Sequence, residues 1–261
     1  MRLRHLGILA STALVLPGLT RLTSAATLAL QLQAANYNPT SGVWTDTSGN
    51  GNNATYYGTK PTLDLGTTPN GSSSVGLNLG NTNGNGFTLA SPIAYASGYT
   101  VFALVDPGTT SGRRALTGGS SNNALEWDVY NGNDDFLREY LQDVSNGSAT
   151  VPTGSFSELD LAVNSSASAF DFNGASDPSN GNGATFGSAI TRIGNNEGGG
   201  DGFSGDIAEI DIYTGILTAP QIAAVQSQLQ AEYVSPVPEP VSMGLAMIAS
   251  GALLGRRRRM A

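Results

Sequence analysis

Gly202-Phe203-Ser204-Gly205-Asp206-Ile207-Ala208-Glu209-Ile210-Asp211-Ile212-Tyr213 is the stretch whose reading decides the fold. After a Phe-Ser-Gly turn, apolar and acidic residues alternate, and a period of two belongs to a strand with one buried face. The alternation predicts Ala208, Ile210 and Ile212 on the core face, with Glu209 and Asp211 together on the other. Immediately after it, Thr218-Ala219-Pro220-Gln221 has the form of a capping box with proline in the first turn. Ile222, Val225 and Leu229 then supply the apolar stripe of a short helix ending near Tyr233.

Working back from this stretch, the chain breaks into short strand patterns closed by turns. Residues 28–33 and 75–79 alternate as half-buried strands do, while 100–105 is apolar throughout and predicts a central strand covered on both sides. Leu125, Trp127 and Val129 share one face, Leu159, Leu161 and Val163 repeat the pattern, and Phe170-Asp171-Phe172 runs into an Asn173-Gly174 turn. With 34 glycines and only 12% charged residues, the composition favours turns over long helices. Many short strands separated by turns predict an all-β, two-sheet antiparallel jelly-roll sandwich with one short C-terminal helix. It occupies residues 26–233 as a single domain.

Both ends read as addresses. Residues 1–25 carry Arg2 and Arg4, an apolar run and small residues up to Ala25, the pattern of a signal peptide handled by the Sec machinery. Residues 234–240 form a linker containing Pro238-Glu239-Pro240, and 241–261 hold an uncharged apolar run followed by Arg256, Arg257, Arg258 and Arg259. As a helix the run 241–255 reaches only about 22 Å, a marginal span that the arginines would retain at the cytoplasmic headgroups. This order resembles the PEP-CTERM sorting signal of Gram-negative bacteria. The resemblance implies an exosortase partner, a membrane-anchored intermediate, and a final place at the cell surface or in the extracellular matrix.

Setting the ends aside leaves Lys60, Arg113, Arg114, Arg138 and Arg192 as the cations of a strongly acidic body. Such a body repels nucleic acid and anionic polymers, so neutral polysaccharides, cations or basic surfaces are the expected partners. Cysteine is absent and the single histidine, His5, lies in the leader. Disulfides, thiolate nucleophiles, Cys/His zinc sites and histidine triads are therefore excluded from the body.

Near the front, Trp44-Thr45-Asp46-Thr47-Ser48-Gly49-Asn50-Gly51-Asn52-Asn53-Ala54 is a loop rich in oxygen donors and permissive backbone. Asp46 and Ser48 either bond turn amides or, with Asn50 and Asn52, supply oxygens to calcium, the one cofactor this loop suggests. The strings W-x-D-x-S-G-N-G-N-x-A and F-x-G-x-I-A-E-I-x-I-Y resemble the two ends of a laminin-G-like, concanavalin A-like lectin/glucanase domain. Glucanases of that superfamily carry E-x-D-x-x-E, but here Thr214 stands at the third carboxylate after Glu209 and Asp211. Glu126 and Asp128 are likewise followed by Asn131. The departures imply a non-catalytic, surface-sorted protein that binds or scaffolds polysaccharide, with a ligand-free structural component or a glycoside hydrolase as alternatives. Tyr130, Tyr140, Glu209 and Asp211 are the candidate ligand-binding residues, and Trp127 reads as core or as a stacking platform.

Overall fold

The computed structural model describes residues 26–77, 85–94, 98–108, 113–119, 125–130, 134–139, 142–146, 149–177, 189–196 and 202–234. In chain order the strands are β1 (Thr27–Gln33), β2 (Tyr37–Asn38), β3 (Val43–Trp44), β4 (Ala54–Tyr57), β5 (Thr62–Asp64), β6 (Ser74–Leu77), β7 (Gly86–Ile93), β8 (Gly98–Pro107) and β9 (Arg113–Gly119). They continue with β10 (Leu125–Tyr130), β11 (Asp134–Glu139), β12 (Gln142–Asn146), β13 (Ser157–Asn164), β14 (Ser168–Phe172), β15 (Ala175–Asp177), β16 (Ile190–Ile193) and β17 (Gly205–Thr214). One helix follows, α1 (Ala219–Leu229), and runs into a single π-helical turn, Gln230–Val234.

The strands form two antiparallel sheets packed face to face, as the sequence predicts. One runs β15-β14-β13-β8-β17-β6-β5, with β1 pairing β17 beside β6; the other runs β12-β11-β10-β9-β16-β7-β4-β3-β2. Leu30, Leu32, Val101, Ala103, Leu159, Leu161, Ile210 and Ile212 project from the first sheet into a common core with Trp44, Phe87 and Ile193 of the second. Trp44 is fully buried, its ring 5.2 Å from that of Phe87, and its indole N–H donates to the Gln33 carbonyl at 2.7 Å. The bond resolves the usual difficulty of burying an indole.

β8 is central, paired on one side with β13 and on the other with β17. Its continuous apolar run has two destinations. Val101, Ala103 and Val105 enter the core between the sheets, and Phe102 and Leu104 point outward beneath α1. Asn173 (φ 51°) and Gly174 (φ 73°) make the predicted left-handed turn between β14 and β15.

The alternation of β17 is interrupted, which corrects the expectation for Ala208. A register shift between Ile207 and Glu209 leaves Ile207, Ile210 and Ile212 in the core, while Ala208 packs outward against Leu217, Leu229 and Tyr233. A bulge adds one residue on one strand, so the period of two resumes out of phase.

Candidate functional site: the outer face of the eight-stranded sheet

Pairing aligns two rows of side chains on the outer face of this sheet. One runs Asp171, Asp160, Phe102, Asp211, Gln31 across β14, β13, β8, β17 and β1; the other runs Glu158, Leu104, Glu209, Gln33. Two carboxylate groups thus flank an apolar stripe, and α1 sits on that stripe with Ile222, Val225 and Leu229 facing Phe102 and Leu104. The capping box forms as expected, with the Thr218 N–H donating to Gln221 Oε1 at 2.9 Å.

Neutral groups hold the acids. Gln226 Nε2 donates to Asp160 at 2.6 Å and Asp171 at 3.2 Å, and Gln230 Nε2 donates to Glu158 at 2.9 Å. On the other flank Gln31 Nε2 donates to Glu209 Oε1 at 2.9 Å, and Gln33 Nε2 lies 3.4 Å from Glu209 Oε2 and 3.3 Å from Glu232 Oε1. The Tyr233 hydroxyl bonds the Glu209 carboxylate. Burial is the largest influence on Glu158, Glu209 and Asp211 and raises all three above the ordinary carboxylate range. Asp211 is raised further by the charge of Glu209, and Tyr213 is pushed up to about 12 by burial and by both acids. Glu209 and Asp211, two of the residues expected to meet ligand, are 1% and 3% exposed, and α1 with its π-turn closes the face above them. Thr214 is engaged at the strand end, its hydroxyl 3.4 Å from the Thr27 carbonyl.

The Asp46 loop is a stitch. Asp46 Oδ1 accepts from the Gln31 and Ser48 N–H groups at 3.0 and 2.9 Å, and Oδ2 from the Ser48 hydroxyl and the Asn52 N–H at 2.9 and 2.8 Å. Asn50 and Asn52 turn their amide nitrogens onto β1, bonding the Leu28 carbonyl at 2.8 Å and the Ala29 carbonyl at 3.0 Å. Burial pushes Asp46 upward, but the hydrogen bonds together outweigh it and hold the carboxyl below its usual range. Calcium does not fit: the carboxylate is filled by four donors, and the neighbouring amides present N–H groups. Among the described residues no three His, Cys, Asp or Glu gather as metal ligands.

The open feature of the same outer face lies beyond the end of α1. Thr62, Gly76, Asp206 and Asp106 pair across β5, β6, β17 and β8. A pocket of about 260 Å³ opens there, lined by Thr62, Asp64, Gly76, Ser204, Gly205 and Asp206. The Thr62 hydroxyl donates to Asp64 Oδ2 at 3.2 Å. Glycine at 76 leaves room for these side chains, because a Cβ there would stand 2.2 Å from Asp64 Oδ2, 2.6 Å from Thr62 Oγ1 and 3.1 Å from Asp206 Oδ1 and would push them aside. Three oxygens thus converge over a residue without a side chain. Burial, then the charge of Asp64 and a hydrogen bond to it, push Asp206 up to about 6. Asp106 is tied down by the Gly154 N–H at 2.7 Å. Sequence reading missed this site because Thr62 and Asp64 belong to a three-residue edge strand with no motif.

Tyr130 closes β10, and its side chain lies outside the described residues, as does that of Trp127. Tyr140, Pro238, Glu239, Pro240, Arg256, Arg257, Arg258 and Arg259 also lie outside them. Among the described residues no helix is long and apolar enough to cross a membrane.

Comparison with known proteins follows the same lines. No curated protein sequence matches the chain. Among solved structures, domain 4 of the extracellular GH43 arabinanase AbnA from Geobacillus stearothermophilus, in complex with arabinotriose, is similar with a TM-score of 0.55 at 18% identity, covering 78% of this chain and 100% of that one. The binding domain of Paraclostridial Mosquitocidal Protein 1 gives 0.56 at 14% identity, over 77% of this chain and 52% of that one. The Trypanosoma rangeli sialidase gives 0.52 at 15% identity over 80% of this chain, which spans 34% of the sialidase. At these identities the likeness is one of fold. A laminin-G family profile, described as the concanavalin A-like lectin/glucanases superfamily, matches residues 70–223, more than half of the sequence. The chain belongs to the concanavalin A-like lectin/glucanase superfamily.

Proposed function

We propose that the protein is an exported, non-catalytic component of the bacterial envelope or extracellular matrix that binds neutral polysaccharide in the Thr62–Asp64–Asp206 pocket. The observation that carries this reading is the convergence of Asp64 Oδ2, Thr62 Oγ1 and Asp206 Oδ1 over Gly76 in an open pocket. Carboxylates are strong acceptors for sugar hydroxyls, and charge-assisted hydrogen bonds are roughly twice as strong as neutral ones. The acidic body favours an uncharged glycan over an anionic one. The arabinotriose complex of a domain of similar fold supports the ligand class.

Two features support a binding role over hydrolysis. Asp64 and Asp206 share a hydrogen bond, closer than the ~5 Å or more that separates catalytic carboxylates in retaining or inverting glycosidases. Glu209 and Asp211 lie beneath α1. Export rests on Arg2, Arg4 and the apolar run behind them, and surface sorting through an exosortase rests on Pro238-Glu239-Pro240, the apolar 241–255 and the arginines after it.

Retention on immobilised arabinan and β-glucan tests the reading, with Gly76→Ala as the variant that fills the pocket. Binding by the parent, and its loss in a variant of unchanged circular dichroism, is the expected result. Retention on neither polymer would leave a structural component, and release of reducing ends would make the protein a hydrolase.

A further inference from the structure

The acids beneath α1 take hydrogen bonds from the amides of Gln31, Gln226 and Gln230 and from the phenol of Tyr233. Lys60 lies 3.5 Å from the Thr40 carbonyl on another surface, and the Arg192 guanidinium sits 5.0 Å above the Tyr57 ring on the other sheet. The titratable groups facing α1 and its π-turn are Glu158 and Asp160 from β13, Asp171 from β14, and Glu209, Asp211 and Tyr213 from β17. β8 offers only Phe102 and Leu104, β1 only Gln31 and Gln33, and the π-turn itself adds Glu232 and Tyr233. Glu158 Oε1 and Asp211 Oδ1 are buried without a hydrogen-bond partner. An ionised oxygen in that position lacks a donor, whereas a protonated carboxyl is far less costly to bury.

The π-turn is also tied to the pocket. The Asn70 N–H donates to the Tyr233 carbonyl at 3.1 Å, and the Asn70 side chain and the Ser72 hydroxyl both donate to the Glu232 carbonyl. Asn70 and Ser72 lie in the loop joining β5 to β6, whose strands carry Thr62, Asp64 and Gly76. β5 is a three-residue edge strand held by β6, by Leu63 against the core and by the Tyr37 hydroxyl on the Pro61 carbonyl, and the π-turn holds the loop at the far end of the hairpin.

We infer that α1 and the π-turn form a proton-held cover, docked while Glu158, Glu209 and Asp211 beneath it keep protons and displaced when they ionise, and that displacement loosens the β5–β6 hairpin and empties the pocket. The geometry sets the direction. Ionisation of Glu158 on one flank and of Glu209 and Asp211 on the other places like charges on both sides of an apolar seat only a few side chains wide, opposite neutral amides and a phenol. The consequence for the pocket rests on the glycan-binding reading above; the movement of the cover does not.

Hydrogen exchange of the full chain between pH 4.5 and 8.5, corrected for the intrinsic base-catalysed rate, tests the cover. Amides of residues 222–234 are expected to lose about tenfold or more in protection as pH rises, the equivalent of one unit of differential proton affinity. Protection that stays constant across the range overturns the inference. The double variant Glu158→Gln, Asp211→Asn, with circular dichroism unchanged, is expected to keep the cover protected at pH 8.5. Retention on arabinan is then compared across the same range. Retention that falls with pH in the parent but persists in the double variant supports the coupling. An equal fall in both means that the pocket responds to pH without the cover, which overturns the coupling. Absence of retention at every pH removes the glycan reading, while the exchange data still decide the cover.

Discussion

Gln226 lays one side-chain amide between two carboxylates on adjacent strands, 2.6 Å from Asp160 and 3.2 Å from Asp171. A single neutral donor therefore bridges two carboxyl groups that would otherwise face each other under a helix. Gln226→Glu keeps the shape and replaces the donor by a third acid. Urea unfolding at pH 7.5 should show a loss of about 2–3 kcal/mol, the cost of unpaired buried acceptors. At pH 4.5, where the added carboxyl is charged less of the time, part of that loss should disappear.

The acid row also sets the pH dependence of the whole fold. Burial raises Glu158, Glu209 and Asp211, and Asp206 is pushed up to about 6 by burial and Asp64. A raised carboxyl binds its proton more tightly folded than unfolded. Its contribution is complete below the unfolded value of about 4 and is lost as pH rises through the folded value. Asp46, held low, acts in the opposite sense, and its contribution is lost as pH falls through its depressed value. The raised groups outnumber it, so the melting temperature should peak between about pH 4 and 5.5 and decline toward pH 8. Scanning calorimetry over that range measures the profile, and a maximum near pH 7.5 would contradict it.

The stitch made by Asp46 joins the loop after Trp44 to the first strand through bonds to Gln31, Ser48 and Asn52. Asp46→Ala removes all of these acceptors and leaves the Gln31 and Asn52 N–H groups short of partners. A loss of about 3–4 kcal/mol in denaturant unfolding is expected, with Asp46→Asn between it and the parent. Because those donors already fill the carboxylate, chelator should leave the parent's melting temperature unchanged.

The fold was more legible in the sequence than the site, and particular residues show why. The run around Val101 and Leu104 declared a central strand because both its faces are apolar, whichever layer covers them. The Asp46 loop was legible as an oxygen-rich turn, but the choice between turn amides and calcium rested on its bonds to β1 and within the loop, which the structure supplies. The orientation of Ala208 was hidden because a bulge depends on the register with β8, which no local pattern encodes. Glu209 and Asp211 were rightly placed on one face, but their burial depends on α1 folding back, a contact set by Phe102 and Leu104 over a hundred residues earlier. The pocket joins Thr62 and Asp64 to Asp206 across three strands, and neither half carries a motif.

Two glycines of the front loops separate backbone strain from crowding. Gly42 (φ +73°) and Gly49 (φ +89°) both occupy the left-handed region, where an alanine costs roughly 1–2 kcal/mol. Their surroundings differ. A Cβ at Gly49 meets nothing within 4 Å, whereas at Gly42 it would stand 2.1 Å from Tyr56 Cδ1. Gly49→Ala should therefore show the conformational cost alone. Gly42→Ala should add about 1–3 kcal/mol for driving the half-buried Tyr56 ring off β4 and its core contacts. The β3–β4 connection would feel that displacement directly, because the Gly42 carbonyl accepts the Tyr56 N–H at 3.3 Å. Parallel denaturant titrations give the difference, and equal losses in the two variants would mean that the Tyr56 ring swings aside freely.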